Sequence, residues 1–176
     1  MLGLRYGTVA LVPHSPEWTT AFLEERAKLN EALSEATCEI EHIGSTAVPE
    51  LCAKPILDIA IGITTGTSIE TVISAMQTIG YHYRGDAKEA GGHIFVRESD
   101  VHLRTHHVHV VELNGPQWQA YLLLRAFLRT NRQARQIYFA EKQALAERYS
   151  GDRKAYTAAK DKVVRRLLAE AERSRP

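Results

Sequence analysis

The sequence predicts an α+β domain with a helical C-terminal layer, and three observations carry that expectation. Strand patterns, alternating or continuously apolar, fall between residues 38 and 111, mixed with one helix pattern but without the regular βαβ rhythm of a parallel sheet. Beyond residue 115 only helical spacing recurs. The net charge of +1 conceals two opposite halves, because residues 1–114 hold 8 Lys or Arg against 15 Asp or Glu while residues 115–176 hold 14 against 6. An acidic part and a basic helical part therefore attract each other.

The 176 residues are expected to form one domain, 1–176, with a core over about 1–114 and a helical part over about 115–176. A composition of 44% hydrophobic and 24% charged residues is that of a globular chain, not a disordered one. Cys38 and Cys52 are too few for a disulfide framework and read as reduced thiols. No stretch approaches the roughly 18 unbroken apolar residues of a membrane span. The start, Met1-Leu-Gly-Leu-Arg-Tyr, lacks a signal-peptide pattern, so a cytoplasmic protein with no membrane partner is expected.

Thr8 to Val12 reads as a short strand or extended arm ending at Pro13. Ser15 with Pro16 opens a helix to about Ala36, with Trp18, Phe22, Leu29 and Leu33 on one face. Cys38 to Ile43 alternates as a half-buried strand and stops at Gly44-Ser45-Thr46, small residues whose backbone N–H groups are open to an anion. Pro49 and Pro55 bracket a connector to Ile56-Leu57-Asp58-Ile59-Ala60-Ile61, an apolar strand with a carboxylate in its middle. A buried Asp costs several kcal/mol unless it is paired or holds a cation, so Asp58 calls for a partner. Thr67-Ser68-Ile69-Glu70 forms a capping box for a helix with Ile69, Val72, Ile73, Met76 and Ile79 inward, closed by Gly80. A strand from Gly80, a polar loop over Asp86 to Gly92 and a partner strand His93 to Arg97 make a hairpin whose loop is placed over the site. Thr105 to Val111 alternates, putting His107 and His109 on one face and His106, Val108 and Val110 on the other. Asn114-Gly115-Pro116 starts a helix with Trp118, Tyr121, Leu122 and Leu128 inward, and Asn131 and Asp152 cap two more.

Gly44-Ser45 followed by Asp58 in an apolar strand resembles the glycine-serine and carboxylate signature of polymerase-β-type nucleotidyltransferases. The longer strings His42-Ile-Gly-Ser-Thr-Ala-Val-Pro49, Lys54-Pro-Ile-Leu-Asp-Ile59 and Arg104-Thr-His-His-Val-His-Val-Val-Glu112, with Gly80-Tyr81 and Trp118, resemble the GrpB family within that superfamily. The resemblance implies a nucleotidyltransferase-like mixed sheet flanked by helices. It also implies a metal-dependent protein that binds a nucleoside triphosphate and transfers a nucleotidyl group to an acceptor not named by the sequence. Family members resembling fusion partners of dephospho-coenzyme A kinase hint at adenine-nucleotide or coenzyme A metabolism.

Within that expectation Asp58 holds Mg²⁺ or another divalent ion, and the alternative is a fixed pair with Lys54 or Arg104. Gly44, Ser45 and Thr46 cradle phosphate, with Lys54 and Arg104 as its cations. His107 and His109, two apart on one strand face, serve as metal ligands or general base, and His42 joins them as a ligand. Two features depart from an active transferase. Ala60 stands where a second acidic residue would complete a two-metal site, and Gly92-His93 replaces the Gly-Arg of many relatives. An enzyme and an inactive module binding a nucleotide or another phosphorylated ligand therefore both remain open. Near-neutral charge and the lack of a nucleic-acid motif disfavour nucleic acid as partner. The oligomeric state is open, a homodimer included.

Overall fold

The computed structural model describes residues 2–88, 92–100 and 102–174. The part of the expected loop at residues 89–91 lies outside them. Six strands form one mixed sheet: β1 (Leu4–Arg5), β2 (Cys38–Ile43), β3 (Leu57–Ile63), β4 (His82–Asp86), β5 (His93–Asp100) and β6 (Leu103–Glu112). Their order is β2-β3-β6-β5-β4, with β1 paired to the start of β6. Among the described residues only β3 and β6 run parallel, and the other pairs are antiparallel. The α+β expectation is met.

Because side chains alternate across a strand, each face collects its own helices. Ile59, Ile61, Val108, Val110 and Phe95 turn toward α1 (Glu17–Ala32) and α2 (Ile69–Thr78), where they pack with Trp18, Phe22, Leu29, Val72 and Met76. The opposite face carries Ile43, Ala60 and Val111 against Trp118 of α3 (Pro116–Thr130). Behind α3, helices α4 (Arg132–Arg148) and α5 (Arg153–Arg173) close a second core around Leu128, Tyr138 and Leu167, reaching Val48 and Leu51. This is the helical layer expected beyond residue 115. Its caps are those read from the sequence, with Asn131 Oδ1 accepting from Ala134 N–H and Asp152 Oδ1 from Ala155 N–H, both at 2.9 Å.

Three local expectations are corrected. Residues 8–12 form no strand: only Val12 bridges, to Ala53, while the edge strand lies earlier, at Leu4–Arg5. Helix α1 ends at Ala32, not near Ala36, because the chain turns at Leu33, whose C=O takes the Ala36 N–H while its side chain stays buried. The cap of α2 is Ser68, accepting from Thr71 N–H and donating to Glu70, while Thr67 bonds Thr64 instead. Among the described residues no helix is long and apolar enough to cross a membrane. Cys38 and Cys52 are free thiols.

Candidate functional site

The parallel pairing of β3 and β6 places Asp58 beside His107 and Ala60 beside His109, all on the face toward the helical layer. His107 Nδ1 lies 3.3 Å from Asp58 Oδ1, and the His107 and His109 rings meet edge to face with centroids 4.4 Å apart. One donor atom each from Asp58, His107 and His109 falls within 4.8 Å of the others, close enough to share one ion. The Tyr121 hydroxyl of α3, 3.1 Å from His109 Nδ1, orients that imidazole. Burial pushes the Asp58 carboxyl up, but its hydrogen bond to His107 and the charges of His107, Lys160 and His109 outweigh this and hold it well below the usual carboxylate range.

Gly44 ends β2 beside this carboxylate. Its backbone sits at φ +68° and ψ −166°, a region open to glycine, and a Cβ there would lie 2.5 Å from Asp58 Oδ2. The glycine thus makes room for Asp58. Ser45 follows in a short turn, Ser45–Ala47, and its Oγ accepts a 2.9 Å hydrogen bond from Lys142 Nζ of α4. Lys142 is fully buried, donates also to Cys52 C=O, and lies over the Tyr138 ring.

Two cavities meet at Asp58. One, of about 150 Å³, is lined by Ser45, Lys54, Asp58, His107, Lys142, Arg153, Tyr156 and Lys160, so four cations face a single carboxylate. Burial, then the neighbouring Lys160 ammonium, pulls Lys54 and Lys142 each down to about 7. The other, of about 410 Å³, shares Ser45, Asp58, His107, Thr157 and Lys160 and opens onto Ile43, Ile94, Tyr121, Leu124, Leu128 and Val164. A larger cavity, of about 840 Å³, lies near Glu112 and Gly115 and contains none of these residues.

The cleft therefore brings together Gly44, Ser45, Lys54, Asp58, His107 and His109 from the sequence expectations. Two others, His42 and Arg104, go elsewhere, and Thr46 stays only in the wall. His42 projects from the opposite face of the sheet, stacked on Phe22 with Nε2 2.9 Å from Thr46 Oγ1, so it cannot ligate with Asp58. Burial pulls it down to about 4. The same bond occupies the Thr46 hydroxyl, leaving Thr46 only as part of the cavity wall. Arg104 lies in a separate groove beside Tyr6 and Lys154, with Glu98 3.7 Å away. Lys54 rests over the Tyr156 ring. Neither of these two cations is the partner of Asp58, so the fixed core pair weighed from the sequence is not formed; His107 takes that place.

Sequence reading did not single out Lys142, Arg153 or Lys160, and it took Tyr121 as an inward packing residue, not as a partner of His109. Lys142 continues the buried stripe Ala134, Tyr138, and Lys160 sits between Tyr156 and Val163 on the inward face of α5. A lysine at i+4 on an apolar stripe was the available signal.

A family model described as GrpB protein matches residues 8–170. The chain belongs to the GrpB family. It is 38% identical over 165 residues to a UPF0157 protein of Pseudomonas aeruginosa, covering 93% of this chain and 67% of that one. The crystal structure of the conserved protein GrpB from Enterococcus faecalis superposes with a TM-score of 0.77 at 30% identity, covering 92% of this chain and 98% of that one. The Cid1 poly(U) polymerase, in a structure described with Mg and 3′-dATP bound, gives 0.53 at 15% identity over 84% of this chain and 49% of its own. At that identity the likeness establishes a shared fold. This GrpB chain spans about half of that polymerase.

A two-magnesium clamp does not fit this GrpB site. Ala60 is fully buried where a second acid would stand, and β6 supplies imidazoles in place of a third. Glu112 lies at the strand end, on the other cavity. The donor set suits one ion, not two.

Proposed function

We propose that this GrpB protein binds a nucleoside triphosphate together with one divalent ion, and transfers the nucleotidyl group to an acceptor, breaking the α–β phosphoanhydride bond and releasing pyrophosphate. The observation that carries the proposal is the continuous cleft in which the Asp58, His107 and His109 cluster stands between a four-cation pocket and an apolar cavity. The cationic pocket suits the terminal phosphates, with Lys142 and Lys160 as point charges and the Ser45 hydroxyl held by Lys142. The apolar cavity, walled by Tyr121 and Leu128, suits the flat face of a base. An ion on Asp58 would neutralise phosphate oxygens at the junction. The shared fold with a polymerase described with Mg and 3′-dATP bound supports a nucleotide as the ligand class.

A second reading, a module that binds the nucleotide without transfer, is favoured by Ala60, since a single carboxylate anchors the site. Calorimetry with ATP and tripolyphosphate tests the binding: Lys142→Met removes a charged hydrogen bond and is expected to weaken both by on the order of tenfold. Affinities indifferent to Lys142→Met overturn the assignment of the phosphate pocket. Incorporation of label from α-³²P-ATP into a cell extract's small molecules or RNA, lost in Asp58→Ala, separates transfer from binding alone.

A further inference from the structure

We infer that the ion of this cleft is a late first-row transition ion of the Zn²⁺ type, bound by one carboxylate and two imidazoles, and not magnesium. The inference rests on the metal half of the proposed function. Magnesium takes oxygen ligands in near-octahedral order, and of the three side chains clustered here Asp58 alone offers oxygen. Asp58, His107 and His109 instead offer a carboxylate oxygen and two ring nitrogens within 4.8 Å of one another. Imidazole nitrogen favours Zn²⁺, Co²⁺ and their neighbours over Mg²⁺, and three protein ligands with an open side is the arrangement of catalytic zinc.

The surroundings fit the same ion. In register with His109 stands Ala60, which is fully buried and adds no oxygen ligand. The Tyr121 hydroxyl engages His109 Nδ1, as outer partners of metal-bound histidines do. Asp58 and His107 side chains are 32% and 26% exposed, so an ion can enter from the cleft.

Untagged protein stripped with chelator is titrated with CoCl₂ and then challenged with ZnCl₂ or MgCl₂, followed by the visible d–d bands of Co²⁺. Stoichiometric binding is expected, with displacement by Zn²⁺ but none by a roughly hundredfold excess of Mg²⁺. His107→Ala and His109→Ala should each weaken Co²⁺ by more than about tenfold and Tyr121→Phe by about tenfold, while the exposed His82→Ala changes nothing. Should a histidine variant fail to fold, X-ray absorption of the Zn²⁺-loaded wild type decides, with two imidazoles in the first shell expected at about 2.0 Å. Mg²⁺ competing on equal terms, or an oxygen-only shell, overturns the inference. The two halves of the reading separate cleanly. Tripolyphosphate binding without Co²⁺ binding sinks this inference and leaves the phosphate pocket standing, and the reverse result does the opposite.

Discussion

Replacing Gly44 with alanine tests how the turn after β2 and the carboxylate of β3 depend on each other. Two costs combine. At φ +68° and ψ −166° an alanine occupies a region that costs about 1–3 kcal/mol for any residue with a Cβ. That Cβ would also stand 2.5 Å from Asp58 Oδ2 and 2.8 Å from Asp58 Cβ, so the carboxylate must swing away from its 3.3 Å contact with His107, at about 1 kcal/mol more. A total of about 2–4 kcal/mol lowers Tm by roughly 5–15 °C in a chain of this size. Gly80→Ala is the control, since Gly80 has φ +84° but nothing within 4 Å of its would-be Cβ, so strain alone acts, at about 1–2 kcal/mol. Thermal melts of the ion-free proteins and Co²⁺ titrations are run side by side. Gly44→Ala should lose more stability than Gly80→Ala and should alone lose ion affinity. Equal melting shifts with both variants keeping the ion would refute the idea that residue 44 sets the position of Asp58.

Three further outcomes follow from the titrating and buried charges. Lys54 and Lys142 are pulled by burial to about 7, and a phosphate beside them favours their ammonium forms. Binding of tripolyphosphate should therefore take up protons and weaken as pH rises from about 7 to 9; calorimetry at pH 8 in two buffers of different ionisation enthalpy should show the uptake, and none would contradict the pocket's charge. His42 and His106 are each pulled by burial from 6.5 to about 4, so the unfolded chain binds more protons between those values. Stability is full above 6.5 and drains as pH falls toward 4, by about 3 kcal/mol for each histidine, and urea midpoints unchanged from pH 7 to 4.5 would refute this. Glu25, buried in α1, accepts from Arg97 Nη1 at 2.5 Å and the Tyr81 hydroxyl at 2.9 Å. Glu25→Ala leaves both unpaired and should cost about 3–5 kcal/mol in urea melts, with a loss under about 1 kcal/mol counting against that pairing.

What the sequence made legible was local or periodic. Alternation put His107 and His109 on one side of β6 and His106 on the other, and the small polar residues before each helical run identified the caps at Asn131 and Asp152. Asp58 stood out because a charge interrupted an apolar strand. What stayed hidden depends on strand register and on how the layers stack, and neither is written in one segment. His42 looked like a ligand because it precedes Gly44, but Asp58 is in register with Ile43, and alternation sends His42 to the α1 face. Arg104 pairs in register with Glu98 only after the β5 ladder shifts beyond Arg97, and this carries it to another groove. Lys142 and Lys160 did not stand out among the many charges of the basic helical half, because nothing in their own helices shows that the stripe they interrupt faces Ser45 and Asp58.

One carboxylate and four cations set the charge balance of the cationic pocket. Asp58 is the one carboxylate facing Lys54, Lys142, Arg153 and Lys160 in the lysine pocket, and without a ligand that pocket already lowers two lysines toward neutrality. An ion on Asp58 removes the carboxylate as a counter-charge and adds positive charge, which makes a phosphate more welcome. A phosphate in turn returns the negative charge that the ion and the lysines need. By reciprocity the two ligands must strengthen each other by the same factor. Ala60, packed with Ile43, Val111 and Trp118, lines neither cavity and adds no second carboxylate beside the ion. Ala60 beside His109 is thus consistent with a site that gathers one ion and one polyphosphate together.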